Sequence, residues 1–231
     1  MGSRTVTSKQ IEVQRIVDAL SKAIAQHRLP PGTRLIEAQI VDALQANRNH
    51  VQSALQRLAM QRIVTIEPNR GALVSQPSAK EARDVFAARR AIERAIVESI
   101  TPEAMRQNRQ RTATHMCNER KATNASDRRD IVRELSDFHL MLGEISGNAV
   151  LADILGNLMV RSSLIVALYQ RNDHPACASD EHEQIIHSLE AGDRDSAVRV
   201  MIEHLDELEA QLALEDLAEP EVDLRQILGE L

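Results

Sequence analysis

The chain has 231 residues, with 28 Lys and Arg against 34 Asp and Glu, two Cys, and only three Phe and Tyr residues together. That length holds one large or two modest domains, and the cysteines are too few for a disulfide framework, which points to a reducing cytoplasm. No span is expected to approach the roughly 18 apolar residues that cross a bilayer, and no signal-peptide pattern opens the sequence, so a soluble protein is expected.

The acidic total conceals a division. Through Ser78 ten basic residues face five acidic ones, while the remainder carries 18 against 29. A basic front on an acidic rear suits a nucleic-acid-binding head on a sensing body. We therefore expect two domains, 1–77 and 78–231.

In chain order, residues 11–26 show apolar positions at Val13, Ile16, Val17, Leu20 and Ile24, a helical stripe that ends before Leu29-Pro30-Pro31-Gly32. A short helix from about Glu37 buries Ile40, Val41 and Leu44, and Gln45-Ala46 makes a tight link. Asn47 can cap the next helix, whose Val51, Leu55 and Leu58 share one face. The opposite face carries Arg48, His50, Gln52, Gln56 and Arg57, long polar groups able to reach phosphates or base edges. A solvated surface looks the same by periodicity alone, so the neighbours must decide. They follow as Val64-Thr65-Ile66, the turn Pro68-Asn69-Arg70-Gly71 and a second strand ending at Val74. Helix, helix, tight turn, helix and hairpin is the order of a winged helix-turn-helix.

The rest reads as six helices. One runs through Val85, Phe86, Ile92 and Ile96, and Thr101-Pro102 restarts another that breaks near Asn124. Leu135, Phe138, Leu142 and Ile145 face inward on a third, which Gly147-Asn148 stops. A fourth follows to Tyr169, ended by Asp173-His174-Pro175; Asp180-Glu181-His182-Glu183 resembles a capping box for a fifth, and the last covers about 193–212. The expected fold class is mainly α: a winged helix-turn-helix domain followed by an all-α bundle. The acidic stretch 215–231 has no assignable element.

Leu29-Pro30-Pro31-Gly32-Thr33-Arg34-Leu35, Glu37, Asn47-Arg48, Val51, Ala54-Leu55, Arg57-Leu58 and Asn69-Arg70-Gly71-Ala72 fall in an order that resembles the DNA-binding domain of the GntR family of bacterial transcription regulators. The resemblance implies that Arg48 and Gly71 approach DNA, with Arg34 and Arg70 as further candidates. From the polar helix face come Asn49, His50, Gln52 and Arg57. Gln52 stands where the family has a second helix arginine, Asn49-His50 where it has Thr-Pro, and Ala38 where it has a contact arginine. Arginine prefers guanine and glutamine suits adenine, so an atypical operator and a shallower salt dependence are expected.

The second half is similar to the helical FCD effector domain, through Arg89 to Glu93, Phe138-His139, Gly147-Asn148-Ala149-Val150-Leu151, Glu181-His182 with Ile185, Gly192-Asp193, and Met201 with His204-Leu205. That resemblance implies a divalent metal, Zn, Ni or Co, on His139, His182 and His204. The family's aspartate one turn before His139 is Leu135 here, which removes a ligand and a negative charge. Arg89 and Asn148 are the candidate effector contacts, although Arg89 can equally pair with Glu93 one turn on. The remaining histidines, His27, His115, His174 and His187, are expected to be structural.

The expected function is a homodimeric, ligand-responsive transcription regulator that binds a double-stranded DNA operator, with repression relieved by a small carboxylic acid. Two rival readings are a dimeric helical adaptor with degenerate DNA binding, suggested by Ala38 and Gln52, and a tri-histidine metal-dependent hydrolase.

Overall fold

A computed structural model describes residues 8–67, 71–125, 128–170 and 179–214. Asn69, Arg70, the Asp173-His174-Pro175 stop, Cys177 and the acidic stretch from 215 lie outside the described residues.

The amino-terminal part contains α1 (Ser8–Ala25), β1 (Arg34–Leu35), α2 (Glu37–Leu44), α3 (Arg48–Met60), β2 (Val64–Glu67) and β3 (Gly71–Val74). Val13, Ile16, Val17, Leu20 and Ile24 of α1 are buried against Val51, Ala54, Leu55 and Leu58 of α3, the apolar stripes that periodicity assigned to those helices. Asn47 caps α3, its side chain accepting from the Asn49 amide. Between α2 and α3, Gln45 takes a left-handed φ of 49°, and the Gln45 and Ala46 amides donate to the Asp42 and Val41 carbonyls, which ends α2 within one turn.

The sheet has three antiparallel strands in the order β1-β3-β2. The sequence reading contained only the β2–β3 hairpin. Two-residue β1 has no alternation to detect, and it becomes a strand because Arg34 and Leu35 pair with Leu73 and Ala72. Glu67 pairs with Gly71 at the wing end, where Gly71 has φ +80° and open space around it. A side chain there would be strained by the backbone alone.

The rest is a six-helix bundle: α4 (Ala79–Ser99), α5 (Pro102–Ala125), α6 (Arg128–Ile145), α7 (Ala149–Tyr169), α8 (Ser179–Ala191) and α9 (Arg194–Ala210). Ser78 caps α4 through the Glu81 amide, and Asp193 caps α9 through Ser196. The capping-box reading of Asp180 to Glu183 is corrected: α8 already includes Ser179, which puts Asp180 and Glu181 inside its first turn. There they face the positive end of the helix dipole.

Helix α7 corrects a second expectation, since its length and composition would suffice to cross a membrane. Its packing gives another reason for that composition. It lies against α4 and α6 on one side and α1 on the other, and Leu164 joins the amino-terminal core. Ser163 Oγ donates to the Ala25 carbonyl at 2.8 Å, and the His27 Nε2–H donates to the Ser163 carbonyl at 3.0 Å. A helix shared by two cores must be apolar on most of its circumference.

Candidate metal centre and DNA-binding face

Three helices bring His139, His182 and His204 together in the bundle core. All three are buried, and their ligand nitrogens lie within 4.8 Å of one another. His139 Nε2 and His204 Nε2 are 3.4 Å apart. Two nitrogens on one ion at the usual ~2.1 Å, arranged tetrahedrally, would be separated by about that much.

Each ring is held from behind by a carboxylate on a different helix. His139 Nδ1 donates to Glu93 of α4 at 2.5 Å, His182 Nδ1 to Glu119 of α5 at 2.8 Å, and His204 Nδ1 to Glu181 of α8 at 2.6 Å. A carboxylate only accepts, so it fixes the proton on Nδ1 and turns each Nε2 lone pair toward the common centre. Phe138 stacks on His182 with ring centroids 3.7 Å apart and further restricts that ring.

The protonation states agree with this arrangement. Burial pushes His139 down to about 3 and His182 to about 4, so both imidazoles are neutral at neutral pH. Burial alone would raise Glu93, but Arg89 and His139 outweigh it and hold the carboxyl at about 2. Glu119 likewise stays at about 2 against its burial, through the nearby His115 ring, 3.5 Å away, and the hydrogen bond from His182. The hydrogen bond from His204 lowers Glu181. Three carboxylates against the one Arg89 guanidinium leave this cluster two negative charges, which a divalent cation would cancel. The donor set therefore fits a divalent metal.

Arg89 joins the centre to a cavity of about 50 Å³. Its Nε donates to Glu93 at 2.8 Å and Nη1 to Ser162 at 2.9 Å, while Nη2 is buried with no hydrogen-bond partner. The cavity is bordered by Leu135, Ser136, His139, Ser162 and Ser163. Leu135, one turn before His139 on α6, thus gives this cavity an apolar wall. A wider groove of about 820 Å³, lined in part by Arg109, Arg120, Glu183 and Arg199, lies outside this cluster. Arg120 and Arg199 there are paired with Glu183 and Glu203.

Asn148 is not at the cavity. It is exposed and caps α7, accepting from the Val150 and Leu151 amides, so its sequence position reflects the α6–α7 turn. The three glutamates behind the histidines escaped sequence reasoning, because each lies on a different helix, 23 to 63 residues away from the ring it holds.

On the amino-terminal part, Arg34, Arg48, Asn49, Gln52 and Arg57 are exposed, as is Gly71 at the start of β3. Arg48 Nε and Gln52 Nε2 both donate to Glu37 Oε2, at 3.2 and 3.0 Å. His50 departs from this face: it is half-buried, and its Nδ1 is enclosed without a partner. It lies near Glu12, whose carboxyl is held down mainly by Arg15 and also by the His50 ring. His50 therefore borders α1.

A winged helix-turn-helix joined through a shared helix to a bundle with a buried polar centre defines a class, the DNA-binding regulators that carry a sensor domain. Residues 12–74 match the gntR family of bacterial regulatory proteins, and residues 84–207 match the FCD domain. The chain belongs to the GntR family and carries an FCD domain, a ligand-binding domain.

Among its relatives, the HTH-type transcriptional repressor RspR of Escherichia coli K12 is 25% identical over 198 residues, 84% of this chain and 86% of RspR. A GntR transcriptional regulator from Rhodococcus sp. RHA1 superposes with a TM-score of 0.73 at 25% identity, over 86% of this chain and 96% of that one. Escherichia coli McbR/YncC shares the fold with a TM-score of 0.75 at 17% identity, over 86% and 95% of the two chains.

Proposed function

We propose that this GntR regulator is a homodimeric repressor whose operator affinity is lowered by a small carboxylic acid bound beside the histidine centre. In this reading residues 1–77 bind DNA through Arg34, Arg48, Asn49, Gln52, Arg57, Arg70 and Gly71, and residues 78–231 sense the acid and dimerise. The observation that carries it is the Arg89 guanidinium, buried with Nη2 unpaired at a cavity that His139 of the histidine cluster also lines. An unsatisfied buried charged donor is costly, and a carboxylate oxygen would satisfy it.

His139, His182 and His204 would hold a divalent ion, Zn, Ni or Co, which supplies a Lewis acid with coordination positions open to an acid oxygen. This chain's own groups orient the acid: Arg89 offers Nη2, Ser162 sits one hydrogen bond away, and Leu135 keeps one wall apolar. A cavity of about 50 Å³ favours a short acid, since one water alone takes about 30 Å³ of liquid.

The neighbours of Ser162 suggest how the acid reaches the head. Ser162 receives Arg89, and Ser163 bonds the end of α1. Acid that draws Arg89 away from Ser162 acts on the turn of α7 that holds the head, which is the differential contact a ligand needs to shift an equilibrium.

The three glutamates are engaged on the imidazole Nδ1 atoms, which speaks against their acting as the general base of a hydrolase. Selection from a random duplex pool at low ionic strength, combined with metal analysis after dialysis, tests the proposal. An enriched palindromic site and about one divalent ion per chain are expected. No enrichment would favour the adaptor.

A further inference from the structure

From the pairing of α2 with α3 we infer that Glu37 is a specificity-determining residue, one that fixes the Gln52 amide for adenine and holds Arg48 beside it as a single base-reading unit. The inference rests on the DNA-binding reading above. Glu37 opens α2, fifteen residues before Gln52, and its half-buried carboxylate receives both Gln52 Nε2 and Arg48 Nε on the same oxygen.

The chemistry gives this contact a direction. A glutamine amide can ordinarily rotate and exchange its donor and acceptor ends, so an unanchored Gln52 would accept from one base as readily as it donates to another. A carboxylate has only lone pairs, which obliges the NH2 group of Gln52 to face Glu37. The amide nitrogen keeps a second hydrogen, and Oε1 is turned to the other side. Donor and acceptor then stand in one fixed order, the order that adenine N7 and N6 require in the major groove.

Arg48 is held by Nε, which leaves its terminal Nη groups on a side chain that is 75% exposed. Those groups are the fork that meets guanine or a phosphate. Glu37 also places a negative charge at the groove, which opposes binding to DNA in general. Specificity is thus favoured over affinity.

The test compares wild-type protein, E37Q, Q52A and the E37Q/Q52A double variant on the selected duplex and on copies with each adenine replaced in turn. Wild type should prefer adenine over guanine about tenfold at one position per half-site, and Q52A should abolish that preference. E37Q should reduce it to about twofold, bind unrelated DNA more tightly, and steepen the salt slope by about one because Arg48 is released. In the Q52A background, E37Q should change base preference no further.

Full retention of the adenine preference in E37Q would overturn the inference, as would an equal loss from E37Q with and without Gln52. Retention of the preference in Q52A would also overturn it. E37D checks the point independently of how E37Q folds: a shorter carboxylate cannot span both donors, so the preference should again fall, and an unchanged preference counts against Glu37. A wild-type protein that selects no duplex at all would instead remove the DNA-binding reading itself, which separates the two failures.

Discussion

At the scale of single residues, the bundle core is organised by charge. Arg89 and Glu93 are a buried pair, with side chains 3% and 2% exposed. Removing one partner strands the other, so Arg89→Ala should destabilise the fold by about 3–5 kcal/mol in urea unfolding. Arg89→Lys keeps a cation but not the planar fork, and should remain folded while losing its response to acid. The glutamates behind the histidines matter through the ring they orient. Glu119→Gln should weaken metal binding about 10–100-fold by chelator competition. An unchanged affinity would mean that the ring needs no such support.

The histidine triad was legible as positions because the FCD resemblance marks His139, His182 and His204 in short motifs. Its supporting carboxylates were not, since Glu93, Glu119 and Glu181 acquire meaning only when helices pack. For Asn148 and His50 the structure adds surroundings that residue type alone did not show. One sits in a family motif but caps a helix, and the other lies on a polar sequence face but turns toward α1. Residue type and spacing could not separate a cap from a ligand.

At the scale of elements, α7 links the two parts of the chain. Adjacent serines face different partners: Ser162 receives Arg89, and Ser163 donates to the last carbonyl of α1. The helix ends in the Tyr169 region, where the Tyr169 hydroxyl donates to the Pro77 carbonyl at the junction. Ser163→Ala removes one hydrogen bond, worth about 1 kcal/mol, from the contact with the head. We expect its metal affinity to be unchanged and the effect of acid on operator binding to shrink, measured by anisotropy on the same duplex. Retained coupling would place the route elsewhere.

Helical periodicity gave the existence of all nine helices among the described residues, because each has an apolar face or a clear break around it. It placed α7 in the bundle without showing that the helix serves two cores, the reason its composition matches that of a membrane span. It also missed β1, where two residues are too few to carry a pattern.

At the scale of the whole molecule, the buried centre should make the metal-free protein sensitive to acid. His139 and His182 sit at about 3 and 4 when folded, below the ordinary 6.5, so below about pH 6.5 the unfolded chain binds protons that the folded chain excludes. Stability is therefore present above that pH and lost as it falls, by up to about 1.4 kcal/mol per pH unit for each imidazole. Glu93 and Glu119, at about 2 against an ordinary 4.5, act in the same direction and add their loss below about pH 4.5. Urea midpoints of the chelator-treated protein should decline steadily from about pH 6.5 to pH 4.5. A midpoint that rose on acidification would contradict these burial-driven shifts.

The charge division through Ser78 gives the amino-terminal part the positive balance that DNA requires, while the acidic remainder keeps the rest of the molecule off the phosphates. What links the parts is the chain of contacts from the histidine centre through Arg89 and α7 to α1. The most direct test of that link is operator affinity of the metal-loaded protein, titrated by fluorescence anisotropy with carboxylic acids of about two to four carbons. At least one acid should weaken binding about fivefold or more in wild type and leave Arg89→Lys unaffected. Operator affinity that no acid changes, or that changes equally in Arg89→Lys, would contradict the account.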